Sequence, residues 1–517
     1  MKRALISVSD KRGIEELARF LVEHEYEIIS TGGTKTTLKD ADIPVTPIAD
    51  FTGQPEILEG RVKTLHPKVA AGILFRRNVA EDLHTMDAQG YVSIDIVVVN
   101  LYPFAQTVAS GKPEADIIEN IDIGGPTLVR AAAKNAEWVT ILTDPSQYSQ
   151  FMREYDNGIS IEFRHKCRKA AFKLVKEYDI AIDEYFSGNG SGASGPSPSV
   201  SLPETLHIDL RKKSALRYGE NPHQFAALYR TADDTTLSLV DAEQLAGKEL
   251  SYNNYLDLDS VLGMILDFDQ PFATISKHTN PCGAAVADRL AHAYSAAYEA
   301  DPLSAYGSII GVNRVVDLFT AQLIHTTEFV ECILAPDFEP DALALLSKKK
   351  QRRLLRLPAI GSVAPGSHWL RAIHGGFLYQ SADRHTIGEN DLTVVTEVKP
   401  TAEQIRSLLF AFRLVKHVKS NAIIVVRDTH LVGHGAGQTS RVDSVDIAVK
   451  KAGDRAKGAV LASDAFFPMA DGVEAAAAAG VTAIIQPGGS KKDDECIAAA
   501  NAAGIAMVFT GIRHFKH

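Results

Sequence analysis

Two adjacent side chains with titratable nitrogens, Lys277 and His278, follow a predicted strand at Phe272 to Ser276. Polar groups at the end of a strand are well placed to meet a ligand, and a lysine beside a histidine is a plausible acid–base pair. Such a pair also occurs by chance on protein surfaces. The residues alone therefore leave two interpretations open, an acid–base site and a solvated turn.

A zinc site is not predicted at the same turn. Pro281-Cys282 matches half of the zinc deaminase signature, in which a His-x-Glu is followed by Pro-Cys-x-x-Cys. No second cysteine follows Cys282 at the required spacing, and Thr279-Asn280 stand where the signature has x-Glu. The sequence therefore predicts no metal here, although a fold related to those deaminases stays open.

A second group of candidate binding residues lies near the N-terminus. Thr31-Gly32-Gly33-Thr34 stand between a predicted strand and a predicted helix, where glycines let the backbone approach an anion and the helix offers free N–H donors. Arg61 and Lys63 flank one apolar residue and could face one anion. A tight turn and a surface loop are the alternatives for these two segments.

Two further segments combine polar residues with predicted secondary structure. Asn100 and Tyr102 follow the β-branched run Ile94 to Val99, which is typical of a strand buried on both faces. Asp122 and its neighbours open a predicted helix that runs through Asn135 and carries Lys134, a lysine that could be tuned for proton transfer. Ordinary strand-end packing and a solvated lysine are the alternatives.

A change of composition divides the chain. Residues 187–201 read SGNGSGASGPSPSVS, a composition typical of a flexible linker. We therefore predict an N-terminal domain at 1–186 and a C-terminal domain at 202–517 that is large enough for two subdomains.

Both parts alternate strand and helix patterns, which predicts α/β domains. For the N-terminal part, the alternation predicts a parallel sheet flanked by helices. Ser9 and Asp10 are expected to cap the first helix, and Lys348 to Arg353 is expected to form a solvated basic helix face. The remaining predicted strands are Ala4 to Val8, Tyr26 to Ser30, Ala422 to Val426, Val481 to Ile485 and Ile505 to Phe509, and the predicted alanine-rich helices are Asp471 to Ala479 and Asp493 to Ala503. No exact internal repeat is visible in the sequence.

Bulk properties indicate a cytoplasmic globular protein. The 517 residues have 45% hydrophobic content and a net charge of -10, which argues against wholesale nucleic-acid binding. The 4 cysteines form no Cys-x-x-Cys pair, so a reducing compartment is expected. The basic N-terminus is followed by too short an apolar run for a signal peptide, and no uninterrupted apolar run is long enough for a membrane span.

Taken in order, the motifs resemble one family across nearly the whole chain. ISTGGT, EGRVKTLHPKVAAGIL, NLYPF and IDIGGPTLVRAAAKN resemble the cyclohydrolase domain of the bifunctional purine-biosynthesis enzymes that combine phosphoribosylaminoimidazolecarboxamide formyltransferase with IMP cyclohydrolase. RYGENPHQ, SKHTNPCGAA, ADPLSAYG, KSNAI, GAGQTSR, SDAFFP and the terminal RHFKH resemble the formyltransferase domain of the same enzymes.

This resemblance implies a fold, an activity and an assembly. The N-terminal domain would be methylglyoxal-synthase-like, and the C-terminal domain would consist of two cytidine-deaminase-like α/β subdomains. The enzyme would transfer a formyl group from 10-formyltetrahydrofolate to 5-aminoimidazole-4-carboxamide ribotide (AICAR), and would then close formyl-AICAR to inosine monophosphate (IMP). A homodimer with transferase sites built across its interface would carry this out, without a catalytic metal.

The resemblance also implies roles for individual residues of the N-terminal part. Lys134 would be the proton donor and acceptor of ring closure. The carboxamide and imidazole would be held by Asn100, Tyr102, Asp122 and Gly124. The nucleotide, mainly its phosphate, would be held by Ser9, Lys11, Thr31, Gly32, Gly33, Thr34, Arg61, Lys63 and Thr64.

In the C-terminal part, the resemblance implies that His278 accepts the amine proton and that Asn421 orients the formyl group. Lys277 would stabilise the tetrahedral intermediate and help to protonate the leaving folate nitrogen. The folate would lie against Phe466, Asp471 and Ser490. The ribotide would be bound by Arg217, Tyr218, Asn253 or Asn254, Gly307, Glu331, Arg441, Arg513 and Phe515. Tyr306 and Glu331 depart from the family pattern, where some members have phenylalanine and aspartate, which leaves the contacts near them open.

Overall fold

The alternating apolar runs form strands and helices in a computed structural model that describes residues 1–187, 202, 204–231, 237–363 and 368–517. The chain divides into two compact units, Met1–Leu206 and His207–His517. All of the expected linker except Ser187 lies outside the described residues. The boundaries 1–186 and 202–517 therefore stay predictions.

Unit 1 is built on a short parallel sheet. Its strands are β1 Lys2–Ser7, β2 Tyr26–Ser30, β3 Thr46–Pro47, β4 Ile96–Val99 and β5 Thr140–Leu142. Its helices are α1 Ile14–Glu23, α2 Gly32–Asp40, α3 Ile48–Thr52, α4 Pro67–Leu74, α5 Ala80–Ala88, α6 Phe104–Ala109, α7 Glu114–Glu119, α8 Gly124–Lys134, α9 Tyr148–Tyr155 and α10 Ile161–Phe186.

The five strands of unit 1 lie in the order β3-β2-β1-β4-β5 and all pair in parallel, as predicted. Strand β4 is buried along its whole length because helices cover both faces of the sheet. In such sheets, ligands bind at the carboxyl ends of the strands. The loops after β1, β2 and β4 therefore lie where a ligand is expected.

The predicted cap of the first helix is wrong. Helix α1 begins at Ile14, and its N-cap is Gly13, whose φ is 69° and which provides no side-chain cap. The Asp10 carboxylate instead accepts hydrogen bonds from the backbone and guanidinium of Arg12. Glycine adopts this left-handed backbone at little cost, so the helix is capped at Gly13, three residues after Asp10, and not by a polar side chain.

Unit 2 contains most of the strands. They are β6 Leu210–Leu216, β7 Ala226–Thr231, β8 Glu243–Ala246, β9 Phe272–Lys277, β10 Asn280–Val286, β11 Ser308–Val312, β12 Val330–Ala335, β13 Arg353–Arg356, β14 His368–Ile373, β15 Gly376–Ser381, β16 Thr393–Val394, β17 Ile423–Arg427, β18 His430–Gly435, β19 Val460–Ser463, β20 Ala483–Gln486 and β21 Ala506–Phe509. The helices are α11 Tyr252–Leu266, α12 Leu290–Ala300, α13 Leu318–Thr326, α14 Pro340–Leu346, α15 Ala402–Val415, α16 Arg441–Ala452, α17 Asp471–Ala478 and α18 Asp493–Ala502.

Twelve of these strands form one sheet made of two similar halves. From the centre outwards, one half runs β10-β9-β11-β12-β13-β8 and the other β18-β17-β19-β20-β21-β16, with the same parallel and antiparallel pairings. The halves join where β10 pairs with β18, at Ala285 and His430. Unit 2 is therefore an internal structural repeat, which agrees with the expected two subdomains.

Each half brings a helix unusually close to its central hairpin through a glycine. A Cβ at Gly283 on β10 would lie 1.9 Å from the carbonyl oxygen of Ala297 on α12, and one at Gly433 on β18 would lie 2.1 Å from that of Ala448 on α16. Only glycine fits at this distance. The two helices thus pack directly against the backbones of the strands that carry the turn residues.

The expected basic helix face at Lys348 to Arg353 is also wrong in part. Helix α14 ends at Leu346, Arg353 begins strand β13, and the side chain of Arg352 is buried beside Tyr294. Strand β13 pairs with β12 on one side and with β8 on the other, and this pairing draws the end of the basic run into the core. Within the part of the chain that the structure describes, no helix is long and apolar enough to cross a membrane.

Candidate functional site

The carboxyl ends of the parallel strands in unit 1 enclose a cavity of about 590 Å³. Almost every residue expected in the first site lines it. They are Ser9, Lys11, Thr31, Gly32, Gly33, Thr34, Arg61, Lys63, Thr64, Asn100, Tyr102, Asp122 and Gly124.

One end of the cavity is built for an anion. Gly32 and Gly33 open helix α2, and Cβ atoms added there would lie 3.7 Å from the ammonium nitrogen of Lys63 and 3.9 Å from that of Lys11. The free N–H groups of the helix and two lysine charges therefore face the same small space. Such an arrangement suits a phosphate.

The threonines beside these glycines hold the loop. The Thr34 hydroxyl accepts a hydrogen bond from the backbone N–H of Val8 at 3.0 Å and donates one to its carbonyl at 2.9 Å. The Thr31 hydroxyl lies 2.9 Å from that of Ser7. Their side chains tie the loop after β2 to the end of β1, so they shape the anion site more than they extend into it.

Arg61 already has an anionic partner. Its guanidinium pairs with the carboxylate of Glu119, and both residues line the cavity. The pair holds the pKa of the Glu119 carboxyl below its usual value, because the adjacent guanidinium favours the charged form. A ligand phosphate that reaches Arg61 has to compete with Glu119.

Asn100 organises the loop after β1. Its side-chain oxygen accepts hydrogen bonds from the backbone N–H groups of Ser9 at 2.6 Å and of Asp10 at 2.9 Å, and its amide donates to the Asp10 carbonyl at 2.9 Å. These contacts fix the position of Ser9 at the cavity wall. A role of Asn100 in holding a carboxamide stays a prediction, because its amide is engaged within the chain.

Asp122 presents a partly buried carboxyl to the cavity. One oxygen accepts a hydrogen bond from the backbone N–H of Gly125 at 2.7 Å. Burial raises the pKa of Asp122, while the backbone N–H groups of Gly125 and Tyr102 and the charge of Lys63 oppose that rise. A Cβ at Gly125 would lie 2.4 Å from the other Asp122 oxygen, so glycine is needed for the close turn. The cavity wall therefore carries a carboxyl group that holds its proton more tightly than an exposed aspartate does.

The structure does not bring Lys134 to this cavity. It is exposed at the last position of α8, while Gly124 opens the same helix at the cavity. Ten residues of helix span about 15 Å. Its role in proton transfer stays a prediction that this geometry does not support, and Lys63 is the lysine beside Asp122.

In unit 2, the Lys277–His278 pair lies at the turn between β9 and β10. Lys277 ends β9, and its ammonium donates to the carbonyl of Tyr306 at 2.8 Å and lies 4.0 Å from a Cβ added at Gly307. His278 is exposed in the turn with φ of 54°, and the backbone N–H of Thr279 donates to a carboxylate oxygen of Asp257 at 2.6 Å. Asp257, which the sequence did not single out, anchors this turn.

A buried network holds Asn421. The guanidinium of Arg441 donates to the Asn421 side-chain oxygen at 2.6 Å and to the carboxylate of Asp464 at 2.5 Å. Asp464 is fully buried and also accepts hydrogen bonds from the Ser420 hydroxyl and from the backbone N–H of Ala422. Asp464 therefore fixes both Arg441 and the segment that carries Asn421, although the sequence gives it no separate signal.

The C-terminal segment packs against this network. Ser420 and Lys516 exchange hydrogen bonds, Ser420 N–H donating to the Lys516 carbonyl at 2.9 Å and Lys516 N–H donating to the Ser420 hydroxyl at 3.2 Å. The N–H of His514 donates to the Asp464 carbonyl at 2.9 Å. The Arg513 guanidinium lies over the ring of Phe515, 4.6 Å from its centroid. Arg513 and Phe515 are thereby held close to Asn421 in the fold.

Other expected ribotide residues have partners of their own. Arg217 stacks on the Tyr218 ring at 4.7 Å, and Glu331 is paired with Arg353 at 2.6 Å. Asn254 is buried and forms the capping box of α11, whereas Asn253 is exposed. Of the two asparagines, the geometry favours Asn253 as a ligand residue.

Two of the expected folate residues, Phe466 and Asp471, lie before and at the start of α17, and the third, Ser490, lies in the loop between β20 and α18. Phe466 keeps 37% of its surface exposed, and Asp471 is the first residue of the helix. The Ser490 hydroxyl accepts a hydrogen bond from the backbone N–H of Lys492 at 3.1 Å. An exposed ring beside a carboxylate can take a flat heterocycle that donates hydrogen bonds. In the described part of the chain, no group of three or more His, Cys, Asp or Glu side chains is arranged to hold a metal.

Comparison with known proteins places both units in one family. The family model described as AICARFT/IMPCHase bienzyme matches residues 132–451, and the MGS-like domain model matches residues 13–127. Proteins named bifunctional purine biosynthesis protein PurH are 48% identical in Rhodopirellula baltica, over 100% of this chain and 99% of that protein, and 50% identical in a Cyanothece strain, over 99% of each. Another from Acetivibrio thermocellus is 48% identical over 100% of both chains. The chain therefore belongs to the AICARFT/IMPCHase bienzyme family, with a methylglyoxal-synthase-like N-terminal domain.

Proposed function

We propose that the two units divide two consecutive reactions of purine biosynthesis between them. Unit 2 transfers the formyl group of 10-formyltetrahydrofolate to the amine of AICAR, and unit 1 closes formyl-AICAR to IMP. The observation that carries this proposal is that one chain, similar to its relatives over its whole length, holds an anion-binding cavity in one unit and the Lys277, Asn421 and Arg441 assembly in the other.

In unit 1, ring closure needs orientation more than strong chemistry, because both reacting groups belong to one molecule. The phosphate binds between Lys11, Lys63 and the start of α2, which fixes one end of the ribotide. The carboxamide nitrogen attacks the formyl carbon, and its proton passes by way of a base to the formyl oxygen, which becomes a hydroxyl. The hydroxyl takes up a second proton and leaves as water, while the former formamide nitrogen gives up its proton as the carbon–nitrogen double bond of the ring forms. Asp122, whose pKa is raised by burial, and Lys63 are the groups on the cavity wall suited to these proton transfers.

In unit 2, the acceptor amine is weak because its lone pair is conjugated with the imidazole and the carboxamide. His278 accepts the amine proton as the nitrogen attacks the formyl carbon. Lys277 stabilises the negative oxygen of the tetrahedral intermediate and helps to protonate the folate nitrogen as the carbon–nitrogen bond to the folate breaks. Lys277 has to leave the Tyr306 carbonyl to do this, a change that an aliphatic lysine chain makes readily.

The formyl donor fits the surface around α17. The exposed ring of Phe466 can stack on a pterin, and Asp471 can accept hydrogen bonds from its amino group. Both residues follow Asp464, which places them on the same segment that anchors Arg441. The donor and the ribotide would thus meet at Asn421.

We further propose a homodimer. The hairpin of β14 and β15 exposes several large apolar side chains to solvent, and His278 and Phe466 are exposed as well. An apolar hairpin is costly to leave in water, and a second copy would bury it and could complete a site that lies open in one chain. The exposed apolar residues of the hairpin are Trp369, Leu370, Ile373, Phe377 and Leu378.

Light scattering tests the dimer. Wild-type protein should have the mass of two chains, and Phe377→Glu should weaken the dimer and lower transferase activity while cyclisation persists. His374→Glu, in the turn of the same hairpin, is the matched control because it adds the same charge at a polar position. A monomeric wild type with full transferase activity would contradict the proposal.

A cytoplasmic location is the simplest for this chain. All four cysteines are free and buried, which suits a reducing compartment, and small anionic nucleotides and folate are the partners that the proposed chemistry requires. The net charge of -10 gives no general attraction for nucleic acid.

The product assay tests the proposed function. Purified protein supplied with AICAR and 10-formyltetrahydrofolate should form IMP, which chromatography separates from formyl-AICAR. A chain that kept the fold but lost ring closure would accumulate formyl-AICAR alone, and a chain that lost formyl transfer would leave AICAR unchanged.

A further inference from the structure

A buried tyrosine of unit 1 contacts the turn that carries Asp122. Tyr178 lies on α10 with 8% of its surface exposed, and its hydroxyl accepts a hydrogen bond from the backbone N–H of Asp122 at 2.7 Å. The same hydroxyl donates to the carbonyl of Asn120 at 3.3 Å. Its ring packs edge-on against Phe104, with the centroids 6.1 Å apart. One side chain thus satisfies two backbone groups of the turn that leads into α8.

These two contacts complete the fixation of Asp122. Its carboxylate already accepts a hydrogen bond from the backbone N–H of Gly125 at 2.7 Å. The backbone of Asp122 itself does not pair with a strand, because the turn lies between α7 and α8. Without the Tyr178 hydroxyl, the N–H of Asp122 would lose its partner, and the turn could rotate the carboxyl away from the cavity.

We propose that Tyr178 is a positioning residue for ring closure that acts through the backbone of Asp122. This inference rests on the proposed function of unit 1, in which Asp122 moves a proton. Tyr178 is not among the residues that line the cavity of about 590 Å³, so its effect on the reaction is to set the direction in which the Asp122 carboxyl points.

Tyr178→Phe removes one hydroxyl and keeps the packing of the ring. Loss of one hydrogen bond to a partly buried group corresponds to about a fivefold to tenfold change in a rate or equilibrium constant. We expect kcat for cyclisation of supplied formyl-AICAR to fall by about that factor, with KM changed less than kcat. The acid limb of the pH profile should also move, since the surroundings of the Asp122 carboxyl change. Formyl transfer in unit 2 should keep its rate.

Tyr148→Phe is the matched control, because the Tyr148 hydroxyl is buried in the same unit with no hydrogen-bond partner among the described residues. It should leave cyclisation unchanged. The inference is overturned if Tyr178→Phe cyclises at the wild-type rate with an unmoved pH profile, or if both tyrosine variants lose activity equally.

Asp122→Asn separates this inference from the function on which it rests. If Asp122→Asn cyclises formyl-AICAR at the wild-type rate, the proposed role of Asp122 is wrong and the inference fails with it. If Asp122→Asn is inactive and Tyr178→Phe is normal, the function stands and only the positioning role is wrong. If both are impaired and Tyr148→Phe is not, the inference is supported.

Discussion

The buried carboxylate of Asp464 forms an ion pair with Arg441, and breaking that pair is predicted to affect stability and catalysis. The two atoms of the ion pair lie 2.5 Å apart, and the side chains are 0% and 5% exposed. Asp464→Asn keeps the shape but removes the negative charge, which leaves the guanidinium buried without a counter-ion. Breaking such a pair costs about 3–5 kcal/mol of unfolding free energy.

The same substitution should impair catalysis in unit 2 and spare unit 1. Arg441 orients Asn421 through a 2.6 Å hydrogen bond, so a displaced guanidinium leaves the Asn421 side-chain oxygen without this donor. We expect formyl transfer to fall at least tenfold at a temperature where the variant is folded, and cyclisation of formyl-AICAR to stay within twofold of wild type. Urea unfolding followed by circular dichroism measures stability, and the two activity assays measure the rest.

Asp454→Asn is the matched control, because Asp454 pairs with Lys457 on the surface, with its own side chain 94% exposed. That substitution should change neither stability nor activity measurably. The reasoning is refuted if Asp464→Asn unfolds at the wild-type urea concentration with full transferase activity, or if cyclisation falls in parallel with formyl transfer.

Three further predictions follow from single contacts. Burial lowers the pKa of His434 to about 4. Between about pH 6.5 and pH 4, His434 is therefore protonated in the unfolded chain and neutral in the folded chain. Stability should therefore fall by about 1–3 kcal/mol between pH 6.5 and pH 4, and urea unfolding of His434→Gln should show a smaller loss. Glu119→Gln frees Arg61, and titration calorimetry should show IMP binding about twofold to fivefold tighter; weaker binding would contradict the competition. Gly311→Ala would place a Cβ 1.9 Å from Val261, and should destabilise unit 2 by about 1–3 kcal/mol in urea unfolding; an unchanged midpoint would contradict the tight packing.

Sequence patterns predicted the regular elements well where local signals were strong. The strand Tyr26–Ser30 has the predicted bounds, and the strand predicted from Ile94 begins two residues later, at Ile96. The start of helix α1 was predicted wrongly because Gly13, and not a polar residue, is its N-cap. Whether a glycine takes this position depends on the backbone conformation of the turn, which the residue types alone do not give. Arg352 was misassigned because burial of a charged residue follows from tertiary packing.

The internal repeat of unit 2 was invisible in the sequence because the halves share pairing and not residues. Lys277 and Arg427 each end the first strand of a central hairpin, yet Lys277 is followed by His278 and Arg427 by Asp428. Backbone pairing tolerates such changes, so the topology persists after the sequence signal is gone.

The cavity residues of unit 1 were predictable because each stands in a short motif at the end of an element. The residues that hold the turns at Asp122 and Thr279 were not predictable, because their partners are distant in sequence. Tyr178 meets Asp122 across 56 residues, and Asp257 meets Thr279 across 22. A tyrosine in the middle of a long helix carries no signal that its hydroxyl will serve a turn elsewhere.

The most direct test of the central claim is one variant assayed with two substrates. Lys277→Ala supplied with AICAR and 10-formyltetrahydrofolate should form product at least about 100-fold more slowly than wild type. The same preparation supplied with formyl-AICAR should release IMP at the wild-type rate. Undiminished formyl transfer by Lys277→Ala would contradict the assignment of the reaction to this lysine and its neighbouring histidine.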